Sequence, residues 1–566
     1  MNYDALIQEA TMSKIKLLTA FLVLLLMNFE SIGLYQNTAP RPPATGSRGM
    51  VSSAHPLATQ AGLDMLAAGG NAFDAAVAVA AALNVVEPMM SGIGGYGTVV
   101  IYDARRRETK FLNTSGRIPA SLDSDVFRAP TPNFMKNREG AKAVSTPGNL
   151  KAWEDMSKKY GKLPWAKLFD AAIKLADEGF TISDRTAQMI KAGFPAFPRH
   201  AKEFYGKNGE PLKADERLVQ KDLANSFRVI ASKGASALHG GEIGRVVAVE
   251  MKDAGSFLTL DDLRNNKPEW WETIQIDYRG YLIVTASPPA NAFDMLVRLG
   301  VMSRFDLSAM GHNSVDYLHR FAEATKHGFQ VRLRFAGDPD IAPPPLDVLL
   351  SEKYWTDEAA KIDSQHAKPY EPPKTNTPPN GHTTHFVVAD ESGNVVSATQ
   401  TLGGLFGSKL MPRGTGIWLN NSLSYCTFEP KGNPMDAFPG RRKLSGDCPT
   451  IIFRDGRPWV AIGTPGGHTI GQTVPQMIMN LIDFKMNVQD AIAAPRISFL
   501  EPDSIAVERG IAESARNRLT EMGHKLRIVG GLGNAHGLTI EYDAKGKIIR
   551  FTGGSDPRGE GSAKGL

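Results

Sequence analysis

The spacing of apolar positions changes along the chain and predicts elements of two kinds. In "NAFDAAVAVAAALNVVEP" nearly every residue is apolar and helix-forming, with Asn71 placed to cap the start and Pro88 to end it. A helix that is apolar all round is buried. The next stretch, "GTVVIYDARRRETKFLN", predicts two strands joined by a basic turn, Asp103 to Arg107. A strand pair against a buried helix indicates a layered α/β core.

Strand patterns return in the last third of the chain. Residues 150–370 are mainly helical in spacing, as in "VDYLHRFAEATKHGFQVRLRF", and end in a Pro-rich segment at 369–380. From Thr384 onward "HFVVAD", "NVVSATQT", "TIIFRDGRPWVAIGTP" and "GLTIEYDAKGKIIRFTG" predict strands, with "DAKG" as a hairpin turn. Strand-rich ends on either side of a helical middle predict one core built by both ends of the chain.

Composition places the chain among soluble globular proteins. It has 566 residues, of which 42% are apolar and 22% are charged. The net charge of +5 comes from 64 basic and 59 acidic residues without a long basic run, so no nucleic-acid partner is expected. The two cysteines are Cys426 and Cys448, and a single disulfide and two buried free thiols both fit the sequence.

The amino end has the pattern of an export signal. Lys14 and Lys16 precede the apolar run Leu17 to Met27, which is shorter than the roughly 20 residues that a transmembrane helix needs. We therefore predict a signal peptide, or else an uncleaved membrane anchor, over residues 1–33. A polar linker over 34–48 follows. The folded protein is then expected in the periplasm or outside the cell.

Two short motifs resemble cofactor sites without the context that such sites need. "GIGGYG", Gly92 to Gly97, matches the dinucleotide fingerprint, but a predicted helix precedes it and a strand follows, the reverse of a nucleotide site. These glycines predict a tight helix-to-strand turn. His382 and His385 lie at the start of a strand with no third ligand nearby, so no metal or other cofactor is expected.

The threonine pair in "NGHTTHFVVAD" offers a nucleophile. A hydroxyl needs a base to take its proton, and an α-amine with a pKa of roughly 7.7–8.0 can serve as that base on the same residue. Only an amino-terminal residue has such an amine. Thr383 or Thr384 would therefore have to be exposed by cutting the peptide bond that precedes it.

A glycine pair supplies the other half of an acyl-transfer site. In "IGTPGGHT", Gly466 and Gly467 follow the predicted strand "WVAI". Consecutive glycines allow backbone N–H groups to point at a developing oxyanion, and one such donor is typically worth about 3 kcal/mol.

At these residues the chain resembles the gamma-glutamyltranspeptidase family, the glutathione hydrolases, within the N-terminal nucleophile hydrolases. The similarity runs from Gly49 to the end and includes "AVSTPGN", "LPWAKLFDAAIKLADEGF", "TTHFVVAD", "GIWLNN", "CPTIIF", "TPGG" and "GGSDPRGEGSA". The resemblance implies a four-layer αββα sandwich. It also implies a proenzyme that cuts itself at His382–Thr383 into a large subunit, 49–382, and a small subunit, 383–566, which remain together.

The same resemblance assigns roles to the candidate residues. Thr383 is the nucleophile, and Thr401 hydrogen-bonds it. Gly466 and Gly467 hold the oxyanion. The expected substrate is a small gamma-glutamyl amide such as glutathione, whose acyl group passes from the threonine to water or to an amine acceptor.

The acyl-donor pocket departs from the family pattern. Gly403, Ser422 and Tyr425 stand where family members contact the ammonium group of the glutamyl substrate. Of two successive pocket serines Ser445 remains, and the second position is Gly446.

The carboxylate clamp departs as well. The arginine that clamps the substrate's carboxylate in the family is matched by Ser115, with Arg117 two residues later. Arg117 either takes over the clamp or forms a surface salt bridge.

Three functions follow from this pattern. The first is a gamma-glutamyltransferase or glutathione hydrolase. The second is an acylase of the same fold that takes glutaryl-type side chains such as those of cephalosporins, since an unpaired buried ammonium is costly. The third is a binding protein that kept the fold without catalysis.

Overall fold

The computed structural model describes residues 41–370 and 381–566. The predicted signal or anchor over 1–33 lies outside the described residues, as does the first part of the linker. The rest of the predicted linker contains a short strand, Ala44–Gly46. Within the described ranges, no helix combines the length and apolar character needed to cross a membrane.

Helices of the described residues fall mostly between the two strand-rich parts of the chain. They are α1 Pro56–Ala67, α2 Ala72–Val86, α3 Phe134–Asn137, α4 Asn149–Tyr160, α5 Asp170–Glu178, α6 Asp184–Gly193, α7 Arg199–Tyr205, α8 Lys221–Lys233, α9 Glu242–Asp253, α10 Leu260–Asn265, α11 Ala292–Met302, α12 Leu307–Met310, α13 Val315–Phe335, α14 Leu346–Leu349, α15 Glu352–Ala359, α16 Ile470–Ile482, α17 Val488–Ala493 and α18 Glu513–Glu521.

Strands lie at both ends of the chain and also in its middle. They are β1 Ala44–Gly46, β2 Gly49–Ser53, β3 Tyr96–Asp103, β4 Glu108–Asn113, β5 Phe180–Thr181, β6 Gly206–Lys207, β7 Glu210–Pro211, β8 Arg217–Leu218, β9 Glu269–Trp271, β10 Ile274–Tyr278, β11 Tyr281–Thr285, β12 His382–Asp390, β13 Val395–Gly403, β14 Thr450–Arg454, β15 Arg457–Gly463, β16 Ile497–Leu500, β17 Ser504–Glu508, β18 Lys525–Val529, β19 His536–Tyr542, β20 Ile548–Ser555 and β21 Ser562–Gly565.

Two seven-stranded antiparallel sheets form the centre. Sheet I has the order β21-β2-β12-β13-β3-β4-β9, and sheet II has the order β1-β20-β19-β15-β14-β11-β10. Apolar side chains such as Val100, Val387 and Ile451 fill the layer between the two sheets. Helices α1 and α2 cover the outer face of sheet I, while α11, α13 and α16 cover sheet II. The four-layer αββα sandwich is confirmed.

The local predictions that built this architecture are largely confirmed. Asn71 caps α2 by accepting hydrogen bonds from two backbone N–H groups, and every residue of that helix is buried. Gly92, Gly94 and Gly95 of "GIGGYG" lie in the turn between α2 and β3, and Gly97 is the second residue of β3. A side chain at Gly97 would collide with the Thr399 carbonyl of the neighbouring strand. Cys426 and Cys448, for which the sequence allowed two states, are both free and buried.

The middle of the chain contains strands that helical spacing did not predict. β10 and β11 are five residues each and form a hairpin at the edge of sheet II. Their turn passes through Arg279 and Gly280, both with positive φ. Five-residue strands carry too short a pattern to stand out between long amphipathic helices.

Both sheets mix strands from the two sides of the predicted cleavage point. Sheet I takes β2, β3, β4 and β9 from before residue 383, and sheet II takes β1, β10 and β11. The remaining strands of both sheets come from β12 and the chain after it. Neither side could therefore complete a sheet alone.

A buried ion network fastens the carboxyl-terminal strands. The Asp556 carboxylate lies 2.9 Å from the guanidinium nitrogens of both Arg496 and Arg558, and Arg558 also pairs with Glu508. Burial opposes ionisation of Asp556, but the two arginines outweigh it and lower its pKa to about 2. Asp556 also accepts a hydrogen bond from the backbone of Ala535, so the network holds the loop before β19.

Glu87, at the carboxyl end of α2, ties that helix to sheet I. Its buried side chain accepts a hydrogen bond of 2.8 Å from the Thr384 hydroxyl on β12. Burial raises the pKa of Glu87 to about 7, against a smaller opposing effect of the Thr384 hydrogen bond. The folded protein therefore holds this carboxyl group neutral at mildly acidic pH.

Replacing Asp556 by alanine should cost about 3–5 kcal/mol of unfolding free energy, because it leaves the buried Arg496 guanidinium without a carboxylate and Arg558 with Glu508 alone. Urea denaturation of the Asp556→Ala variant measures this loss. The matched control is Glu541→Ala, which removes an exposed partner of Arg550 and should cost less than about 1 kcal/mol. Equal effects of the two substitutions would contradict the prediction.

Glu87 should make the protein less stable as pH rises from about 5 to 8. Its pKa in the folded state is raised to about 7, above the value near 4.5 in the unfolded chain. Its stabilising contribution is complete below the unfolded pKa and is lost as pH rises through the folded pKa. The difference in unfolding free energy between the wild type and Glu87→Gln should therefore change by on the order of 3 kcal/mol across this range. Parallel pH profiles of the two proteins would rule the assignment out.

Candidate active site

The site begins with a row of three side chains across neighbouring strands. Thr383 on β12 is paired with Thr401 on β13, which is paired in turn with Tyr96 on β3. Directly paired residues present their side chains on the same face of a sheet. This face is the one between the sheets, because Val387 of β12 lies in the inter-sheet layer. The predicted nucleophile therefore lies inside the sandwich, with 6% of its surface exposed.

Thr401 holds the peptide bond that is predicted to be cut. Its hydroxyl donates a hydrogen bond of 2.6 Å to the carbonyl oxygen of His382. The Thr401 hydroxyl oxygen in turn accepts a hydrogen bond of 2.7 Å from the backbone N–H of Gly403. Because that N–H occupies a lone pair, the hydroxyl proton stays directed at the His382 carbonyl. The β12–β13 register also shifts between His382 and Thr383, so this bond lies at a strand irregularity.

The glycine pair lies beside this peptide bond. Gly466 and Gly467 have φ values of 142° and 58°, a region that favours glycine, and they lead into α16. A side chain at Gly381, two residues before Thr383, would collide with the Gly467 backbone and the Tyr425 hydroxyl. The structure thus places Gly467 against the segment that leads into His382 and Thr383, and the oxyanion role of the glycine pair stays a prediction.

The side chains around His385 and Thr384 support β12 from both faces. His385 Nδ1 lies 2.8 Å from Thr399 Oγ1 on the inter-sheet side. Burial lowers the pKa of His385 well below its usual value, so it is neutral. Thr384 faces the helices through its contact with Glu87, and so it is not in the row with Thr401.

The predicted pocket residues fall into two groups near the row of Thr383, Thr401 and Tyr96. Gly403 has a φ of 98°, and the Asn421 side chain fills the space that a Cβ would need. Ser422 is buried, and its hydroxyl is hydrogen-bonded to that of Ser145. Tyr425 is half-buried, with its ring centroid 5.7 Å from that of His468.

The second place is the loop that precedes β14. Ser445 donates a hydrogen bond of 2.7 Å to the Asp447 carboxylate and lies 3.1 Å from the Thr98 hydroxyl. A Cβ added at Gly446 would lie 3.6 Å from the Gly467 carbonyl oxygen. The loop therefore borders the glycine pair.

Arg117 forms a surface ion pair. Its guanidinium lies 2.8 Å from Glu269 and donates to the Gly440 carbonyl, and 45% of its side chain is exposed. Of the two roles that the sequence leaves open, this conformation corresponds to the salt bridge. A clamp role for Arg117 stays a prediction that would need the side chain to leave Glu269.

Sequence reasoning missed three residues of the same region. Lys443 and Asp447 flank the pocket serine and are 2% and 3% exposed, and Tyr96 is 3% exposed. The signal was present in "KLSGDCP", where two opposite charges enclose the predicted pocket residues. Charged residues in a loop are usually exposed to solvent, so the sequence analysis did not select Lys443 and Asp447 as site residues.

These groups together suit acyl transfer. A threonine hydroxyl, a hydroxyl donor on the carbonyl that precedes it and a glycine backbone pair meet at one edge of the inter-sheet layer. That combination provides a nucleophile and hydrogen bonds for a tetrahedral oxyanion. The base is absent from this set unless the Thr383 nitrogen becomes a free amine.

Comparison with known proteins agrees with this chemistry. The family model for gamma-glutamyltranspeptidase matches residues 58–566. The glutathione hydrolase proenzyme of Bacillus subtilis strain 168 is 35% identical over 546 residues, which cover 92% of each chain. The acylase ACY 1 proenzyme of Pseudomonas sp. strain V22 is 36% identical over 88% of this chain and 91% of that protein.

A solved structure extends the agreement to the fold. The crystal structure of the cephalosporin acylase from Bacillus halodurans superposes with a TM-score of 0.85 at 30% identity, covering 94% of this chain and 98% of that one. The chain is thus an enzyme of the N-terminal nucleophile hydrolase type, and it belongs to the gamma-glutamyltranspeptidase family.

Proposed function

We propose that the chain is a proenzyme that cuts itself at His382–Thr383 and then cleaves gamma-glutamyl or closely related acyl amides. The observation that carries the proposal is the 2.6 Å hydrogen bond from the Thr401 hydroxyl to the His382 carbonyl oxygen. A donor at this distance stabilises the negative charge that develops on that oxygen when the carbonyl carbon is attacked.

Self-cleavage proceeds as an acyl shift followed by hydrolysis. Thr383 Oγ1 attacks the carbonyl carbon of His382, its proton passes through water toward the nitrogen of the same peptide bond, and Thr401 holds the resulting oxyanion. The C–N bond then breaks, and its nitrogen takes up a proton to become the α-amine of Thr383. The remaining ester between His382 and Thr383 Oγ1 is hydrolysed by water, which leaves a carboxylate on His382 and a free hydroxyl on Thr383.

The same hydroxyl then acts on substrate. The new α-amine takes the proton of Oγ1 as the hydroxyl attacks the amide carbon, and it returns the proton to the leaving amine. Gly466 and Gly467 receive the oxyanion through their backbone N–H groups. Water or an amine acceptor resolves the acyl-enzyme. Thr401 keeps its place beside Thr383 because β13 fixes it.

The two products of self-cleavage, 49–382 and 383–566, remain one body as large and small subunits. Support comes from the sheets, since each contains strands from both segments. We further propose export, on the strength of the Lys14 and Lys16 charges before the apolar run Leu17 to Met27.

The second candidate, a glutaryl-type acylase, is favoured by the pocket. Gly403, Ser422 and Tyr425 offer no carboxylate where the ammonium of a glutamyl group would lie. An ammonium buried without an anionic partner is costly, whereas a glutaryl group lacks one. Relatives of both kinds, glutathione hydrolase and acylase proenzymes, match the chain at similar identity.

Replacing Thr401 by valine should slow self-cleavage by roughly 100- to 1000-fold, because it removes one oxyanion donor. Replacing Thr383 by alanine should abolish cleavage. A time course on denaturing gels follows the conversion of the precursor into fragments 49–382 and 383–566. Thr399→Val is the matched control, since its hydroxyl contacts His385 and not the scissile carbonyl. Normal processing of the Thr401→Val variant would remove the main support for the proposal.

Glutaryl-p-nitroanilide should be hydrolysed with a kcat/KM at least about 10-fold above that of gamma-glutamyl-p-nitroanilide, because the enzyme would bury the extra ammonium unpaired. Steady-state assays of the processed protein, with glutathione as a third substrate, measure the preference. Faster turnover of glutathione and the glutamyl amide would instead favour the first candidate. A processed protein that turns over none of the three would contradict both candidate acyl groups.

A further inference from the structure

Lys443 is a buried lysine with few partners. Its ammonium donates one hydrogen bond, of 3.0 Å, to the carbonyl of Leu444, and it lies 3.3 Å from the centre of the Tyr96 ring. Asp447, the carboxylate that acts on it electrostatically, accepts hydrogen bonds from Ser445 and Thr98. Burial lowers the pKa of Lys443, and the nearby Asp447 opposes that shift. An ammonium buried with one backbone acceptor has capacity for an anion.

The position of Lys443 connects it to the row that contains Thr383. Its ammonium covers Tyr96, the third member of that row, two strands away from Thr383. Adjacent strands lie about 4.8 Å apart, so the ammonium approaches the row at roughly 10 Å from the backbone of Thr383. A short acyl chain bound to Thr383 Oγ1 and a lysine side chain can together span such a gap.

Lys443 also belongs to the pocket loop. It precedes Ser445 by two residues, and Ser445 is hydrogen-bonded to Asp447. The Asp447 carboxylate oxygen that accepts from Ser445 also accepts from Thr98, which keeps this anion turned toward sheet I. The pocket serine is therefore flanked in the sequence by a buried lysine and a buried aspartate, and burial shifts the pKa of each toward its neutral form.

In the family that the chain resembles, an arginine binds the carboxylate of the substrate. The matching position in this chain holds no cation. Ser115 stands there, and Arg117 is engaged with Glu269 at the surface. A distal carboxylate on the acyl group would be left without a counter-ion unless another cation served it. Lys443 is buried, positively charged below its pKa and located on the loop that borders the glycine pair.

We propose that Lys443 binds the distal carboxylate of the acyl donor and thereby selects short dicarboxylic acyl groups. The inference rests on the proposed function, and it names the residue that recognises the substrate. In this chain the cation that binds the carboxylate would therefore lie on the 443–447 loop rather than on the 113–117 segment. Tyr96 contributes its ring as a platform for the ammonium, a contact of the cation–π type.

The test compares two substrates that differ only in the carboxylate. Glutaryl-p-nitroanilide carries it, and pentanoyl-p-nitroanilide does not. Wild-type enzyme should prefer the glutaryl substrate. In the Lys443→Met variant kcat/KM for the glutaryl substrate should fall roughly 30- to 1000-fold, mainly through KM, while the pentanoyl substrate changes less than about threefold. Lys443→Arg should restore part of the preference.

Two further variants separate the alternatives. Lys431→Met makes the same substitution at an exposed lysine paired with Asp125, and it should leave both substrates unaffected. Arg117→Met tests the rival clamp. A loss of glutaryl preference in that variant, with Lys443→Met unaffected, would overturn the proposal. Equal losses on both substrates in Lys443→Met would also overturn it, since Lys443 would then be only structural.

Binding of glutarate keeps the test independent of turnover. Calorimetry with the processed wild type should give a dissociation constant at least about 30-fold lower than with Lys443→Met. This result would support the clamp even if no amide were hydrolysed, in which case the proposed function alone would fail. If the Lys443→Met variant does not cut itself, the clamp is still tested by the wild-type enzyme, through its relative turnover of the two substrates and its binding of glutarate. A wild-type enzyme that hydrolyses the pentanoyl substrate as well as the glutaryl one contradicts the clamp, and so does one that does not bind glutarate.

Discussion

The antiparallel pairing of β12 with β13 sets Thr383 opposite Thr401, and a slip of one residue would turn every side chain of β12 to the other face. The hydroxyl of Thr383 would then face the helices, away from Thr401 and the inter-sheet layer. The register itself is secured by burial, since Val387 must face the inter-sheet layer and Phe386 the helices. Packing of apolar side chains along the strand thus determines the geometry of the polar groups at its end.

The chemistry of the site was within reach of the sequence because it depends on residue types. A threonine needs a base, and a glycine pair frees backbone N–H groups, whatever surrounds them. The strands that hold them were also visible, since long alternating or apolar runs such as β3 and β12 carry a strong pattern. The order of those strands within the two sheets could not be predicted, because it is set by contacts between segments that are far apart in the chain.

The residues that bind the acyl group were harder to predict from the sequence than the residues that react with it. Lys443 and Arg117 are both basic residues in loops, and no local pattern separates the buried one from the exposed one. Their environments differ because Arg117 finds Glu269 at the surface, whereas Lys443 is enclosed by Tyr96 and the loop before β14. The reactive groups are held by the central strands, and the residues that would choose the acyl group lie on loops, which vary more freely.

Because each central sheet interleaves strands from both sides of residue 383, a cut at that residue would have to follow folding. The uncut chain can assemble its sheets within one molecule, whereas two separated pieces would have to find each other in solution at a rate that depends on their concentration. A cut molecule that unfolds therefore faces a second-order search, during which its unpaired strands are exposed to aggregation. Maturation at His382–Thr383 would make the native state a one-time product, whose lifetime is governed by the barrier to unfolding rather than by reversible equilibrium.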